Sequence, residues 1–154
     1  VIDLANKSLA ATFSTEPGPL RGQFNRQGDR LYIVHEWSSY ITVLDPQSLS
    51  VLNRFYAGMG MISIKIDSVT GKIYVSRKRS TTVDVYDPFS FLPVDYIDAG
   101  GETSYMTIDG EENNLYLVMP EMRSLSVINI ISKKTLSRID TGEGLHWVTM
   151  MGER

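Results

Sequence analysis

The feature that most constrains this chain is a repeat of 42 residues. Val1, Val43, Val85 and Val127 stand at that interval, and Asp3, Asp45, Asp87 and Asn129 lie two residues after each. Tyr32, Tyr74 and Tyr116 keep the same spacing, as do Phe13, Phe55, Ile97 and Ile139, and Gly58, Gly100 and Gly142. A repeat of this length marks a supersecondary unit that cannot bury its apolar face alone and must stack on its neighbours.

Inside the period the apolar residues alternate, as half-buried strands require. "MISIKID", "KIYVS", "TTVDVYD" and "LPVDYIDAG" read as four strands, joined by "SVTG", "RKRS" and "PFSF". Proline and glycine fall at the connections, where a fixed or positive φ is useful and no ladder donor is lost. No stretch has the pattern of an amphipathic helix of ten or more residues. Four short strands per unit is the arithmetic of a propeller blade. The expected fold is therefore all-β, a β-propeller of four-stranded antiparallel blades.

The segments "GDRLYIVHEWSSYITVLDPQSLSVLNRFYAG", "GKIYVSRKRSTTVDVYDPFSFLPVDYIDAG" and "NNLYLVMPEMRSLSVINIISKKTLSRIDTG" resemble YVTN-type β-propeller repeats over essentially the whole chain. The resemblance implies a propeller, a bacterial or archaeal setting outside the cytoplasm (periplasmic, extracellular or on the cell surface), and a family in which few members have an assigned chemistry. One feature departs from the pattern. The proline usual shortly after the blade-final glycine is present as Pro19 but replaced by Met61, Thr103 and Leu145.

With strands A to D numbered outward from the axis, residues 1–17 supply only C and D of one blade. Full blades follow at 18–59, 60–101 and 102–143, and 144–154 supplies a lone strand A. The result is a partial ring of about three and a half blades. An open arc leaves apolar faces and strand edges in water, which invites association. The partner expected to close the ring is another copy of the chain or the remainder of a longer one.

Composition narrows the function. A net charge of −3 and a pI near 5.3 argue against a generally basic nucleic-acid binder. No apolar run approaches the roughly 18 residues that span a bilayer. Cysteine is absent, which removes disulfides, thiolate metal sites, cysteine nucleophiles and thioether-linked haem.

Candidate site residues gather on the rim where D–A and B–C connections open around the channel. The B–C loops are "HEWSS", "RKRST" and "MPEMRS". On strand A the alternate set Arg21, Gln23, Ser63, Lys65, Tyr105, Thr107, Trp147 and Thr149 is polar or amphipathic and suits a channel mouth. His35, Trp37, Arg77, Arg79, Tyr105, His146 and Trp147 are the candidate ligand-binding residues. His35 and His146 are the only histidines. Two histidines without cysteine fall short of the usual three or four ligands, so no metal site and no cofactor are expected. The methionines read as gap-filling residues. "SRKRS" beside Trp37 and Tyr105 has the ingredients to hold a phosphate, a carboxylate or a single strand, although a solvated loop is the simpler reading. Asp3, Asp45 and Asp87 recur once per blade, as turn residues do and catalytic acids do not. No nucleophile–base pairing, Gly-x-Ser-x-Gly elbow or phosphate loop occurs, and no catalytic residue is assigned.

The leading expectation is a non-enzymatic scaffold presenting its rim to a protein or small ligand. A propeller subunit of a periplasmic redox enzyme or lyase with a shared site is the alternative. Single-stranded nucleic-acid or anionic-polymer binding through Arg77, Lys78, Arg79 and Trp37 is a third.

Overall fold

The computed structural model describes residues 1–150. A short hairpin, β1 (Ile2–Asp3) and β2 (Ser8–Leu9), precedes three four-stranded antiparallel sheets. The first is β3 (Pro19–Phe24), β4 (Leu31–His35), β5 (Tyr40–Leu44) and β6 (Val51–Tyr56). The second is β7 (Met61–Ile66), β8 (Ile73–Arg77), β9 (Thr82–Tyr86) and β10 (Pro93–Asp98). The third is β11 (Tyr105–Asp109), β12 (Asn114–Met119), β13 (Ser124–Asn129) and β14 (Thr135–Asp140). Each sheet is a meander whose strands pair in chain order. The chain is thus an arc of a β-propeller, with three complete blades and no closed ring. One turn of 3-10 helix, Pro120–Met122, interrupts the third blade.

The inner strands β3, β7 and β11 lie side by side, β7 touching both of the others. Two cores fill the spaces between blades. Tyr32, Val34, Ile41, Val43 and Phe55 of the first blade meet Met61, Ile64, Ile66, Ile73 and Val75 of the second. Tyr74, Val83, Val85 and Ile97 then meet Met106, Ile108, Leu115, Leu117 and Ile128 of the third. These are the alternating apolar positions of the repeat, so the pleat of each strand feeds two cores at once.

Repeat positions that are alike in sequence differ in burial according to their neighbours. Ile66 and Ile108 are 6% and 3% exposed, whereas Phe24, at the same position of the first blade, is 49% exposed. Phe55 and Ile97 are 6% and 1% exposed, whereas Ile139 of the third blade is 48% exposed. Each end of the arc therefore presents an apolar sheet face to water. Beyond the third blade, residues 145–150 join no sheet. Every other inner strand is held by strand B of its own blade, and among the described residues none stands beside this segment. The expected strand at 144–154 otherwise runs into 151–154, outside the described residues.

The turns at the end opposite the rim are built by the recurring acids. The side chain of Asp45 accepts the amides of Gln47 and Ser48, and that of Asp87 those of Phe89 and Ser90. Asp3 and Asn129 do the same at their repeat positions. Amide donation holds the Asp3, Asp45 and Asp87 carboxyls below the ordinary range. These side chains close C–D turns, the structural role the repeat implied.

Candidate functional site

The rim is the end at which inner strands begin and B–C loops cross. Its backbone is repeated from blade to blade. Glu36 N–H donates to the Gly18 carbonyl at 2.8 Å, and Lys78 N–H to that of Gly60 at 2.8 Å, pinning the first two B–C loops to the start of strand A, whereas the third has Pro120 at this position and no N–H to give. Polar side chains then tie blade to blade. Lys78 pairs with Glu36, Glu102 accepts the Arg79 amide at 2.6 Å, and Ser76 Oγ donates to the Thr103 carbonyl at 2.7 Å.

The candidate residues do not all reach this surface. His35, expected on the open rim, is wholly buried at the end of β4. Its Nδ1 lies 3.0 Å from the Tyr40 carbonyl, which can only accept, so Nδ1 carries the proton. Nε2 is buried without a partner. Burial holds this imidazole below the ordinary histidine range, opposed in part by the bond to Tyr40. Arg77 also turns away. Its guanidinium meets Asp84 at 2.5 Å and lines an outer groove of about 700 Å³ with Tyr56, Tyr86 and Tyr96. A strand residue aimed at a carboxylate one strand over follows it to the outer wall, not to the channel.

Trp37 is 68% exposed, with its indole over Gly18, where a Cβ would lie 3.0 Å from the ring. Arg79 is exposed in the left-handed region, φ 58°. His146 is exposed and Trp147 is 61% exposed. Among the described residues no group of three or more His, Asp or Glu side chains is arranged to hold a metal. The basic loop is largely neutralised within the chain, Arg77 by Asp84 and Lys78 by Glu36.

What the structure does bring together is a row across the inner strands. Arg21 leaves β3, donates from Nε to the Ile62 carbonyl of β7 at 2.9 Å, and lays its guanidinium 4.9 Å over the ring of Tyr105 on β11. Tyr105 in turn meets Trp147, centroids 6.4 Å apart and planes tilted by 57°. Ser63, between them in the repeat, is buried. Its small side chain leaves room for Arg21 to cross. Tyr105 and Trp147 are among the ligand-binding candidates read from the sequence, whereas Arg21 stands only in the channel-mouth set of strand A, although 21, 63, 105 and 147 are one repeat position.

No family model matches the chain, and no curated protein sequence matches it. Solved structures do. Hydrazine synthase from Kuenenia stuttgartiensis superposes with a TM-score of 0.73 at 18% identity, over 87% of this chain and 39% of that one. The β-propeller domain of Cps50 (Swd1) from Myceliophteria thermophila gives 0.66 at 10% identity, over 85% and 41%. A protein of unknown function from Desulfotomaculum acetoxidans gives 0.66 at 20% identity, over 82% and 44%. At these identities the likeness establishes the propeller fold alone. This chain spans about two fifths of the length of the structures it matches.

Proposed function

We propose that this arc is a non-enzymatic propeller scaffold whose channel-side rim binds a small ligand or a protein segment, and whose bare flanks are covered by further blades. The observation that carries this reading is the convergence of Arg21, Tyr105 and Trp147 from two blades and the segment after them. A charged group held on aromatic faces at a channel mouth is binding chemistry, since it offers orientation and contact without a nucleophile or a base. Membership of the YVTN-type repeats belongs to the same proposal and rests on the resemblance of the repeat segments; work outside the cytoplasm is what that resemblance implies.

The enzyme-subunit reading draws its support from the hydrazine synthase likeness, which is one of fold. The anionic-polymer reading loses support because Arg77 and Lys78 already face carboxylates. A thermal-shift screen of anions, metabolites and short peptides tests the scaffold reading. Ligands are expected whose stabilisation disappears in Trp37→Ala or Trp147→Ala. Ligands that ignore both substitutions but are lost when Arg26 or Phe89, on the opposite face, is replaced would overturn it. Turnover of any screened compound would favour the enzyme reading.

A further inference from the structure

We infer that the channel mouth takes a small anion carried on a flat ring, such as an aryl phosphate or aryl carboxylate, held by the terminal amino groups of Arg21 with its ring against Trp147. The inference rests on the rim reading above and gives that rim a ligand chemistry.

Position supports it first. Arg21 is anchored by the Ile62 carbonyl through Nε and by the Tyr105 face beneath its plane. These contacts fix the long side chain before any ligand arrives, so little further entropy is lost on binding. They also leave its donors available. Among the described residues, neither terminal nitrogen of Arg21 has a hydrogen-bonding partner. A guanidinium whose terminal N–H groups lack such partners is matched to phosphate or carboxylate oxygens, and being weakly hydrated it gives up water readily.

The ring half of the ligand follows from Trp147. It is 61% exposed and engaged with Tyr105, the ring over which Arg21 lies, so its indole offers aromatic surface at the same cluster. An aromatic ring of a ligand stacks on such a surface whatever its substituents.

The probe is phenyl phosphate, followed by calorimetry and by the indole N–H resonance of Trp147, assigned through its loss in Trp147→Phe. Saturable binding is expected, with a shift of that resonance. Affinity should fall at least tenfold in Arg21→Gln and in Trp147→Ala, and less in Arg21→Lys. Inorganic phosphate and benzyl alcohol, each carrying half the chemistry, should both bind more weakly. Trp147→Ala alters an exposed side chain and keeps the test intact if Arg21→Gln folds poorly. Absence of binding to the wild-type chain, or equal binding to both variants, would overturn the inference. If phenyl phosphate fails while a neutral or cationic compound still shows Trp147-dependent stabilisation, the anion chemistry falls and the rim reading stands. If ligands ignore the rim altogether, both fall.

Discussion

Gly58 and Gly142 occupy one repeat position, with φ of 83° and 71°, where any L side chain is strained. Their surroundings differ. A Cβ on Gly58 would lie 2.7 Å from Nη1 of Arg77, whereas one on Gly142 meets nothing within 4 Å. Gly142→Ala should therefore cost only the backbone term, about 1–2 kcal/mol. Gly58→Ala should cost somewhat more in a urea titration, because Nη1 of Arg77 must also shift. His35 predicts a pH dependence. Its folded-state pKa is depressed by burial, so below the ordinary value near 6.5 the unfolded chain takes up a proton that the folded chain refuses. Stability from this group is complete above that value and declines as pH falls toward the folded pKa. Urea midpoints at pH 8, 6.5 and 5 should fall in the wild type and change less in His35→Gln. The turn carboxylates Asp3, Asp45 and Asp87, also depressed, contribute a second decline only below about 3.8.

At the level of the strand, the same side chain does different work in different blades. Phe55 on β6 stacks on Phe91 at 5.0 Å and meets Tyr86 at 5.5 Å, closing the space between the first two blades. Phe55→Ala should destabilise by about 3–5 kcal/mol, the usual cost of emptying an aromatic core site. Ile139 on β14 holds the equivalent place with no blade beyond it and is 48% exposed. In the dissociated chain, Ile139→Ala should stay within about 0.5 kcal/mol, as surface substitutions do. Equal costs at the two positions would mean that the blades do not stack in the order described. The outermost strands read as strands in the sequence by alternation, but which members of the alternation are buried depends on a neighbour that no local pattern announces.

For the whole molecule, the decisive property is its two uncovered flanks. Phe24 at one and Ile139 at the other are apolar side chains at positions that are buried in the middle of the arc. Sheet faces of this kind are rarely left in water. In sedimentation equilibrium the chain should run above its 17.3 kDa mass, and Phe24→Lys with Ile139→Lys should return it to that mass. A monodisperse monomer that binds no hydrophobic dye would contradict the expectation that more sheet covers the flanks.

The sequence by itself determined the repeat, the four strands per unit, the turn role of the recurring acids and the propeller class. All of these follow from local periodicity and turn chemistry. It did not determine which rim candidates face solvent. His35 reads as an open-loop histidine, yet it ends a strand wholly buried, near enough to Glu16 and Arg54 to feel their charges. Arg77 reads as part of a basic loop, yet Asp84, seven residues on, draws it to the outer wall. Arg21 reads as one polar residue among several on strand A, yet it crosses β7 to reach Tyr105 on β11. Each of these outcomes depends on a contact between segments that are distant in the chain or on different strands. Only stacking the blades around an axis brings those partners within reach.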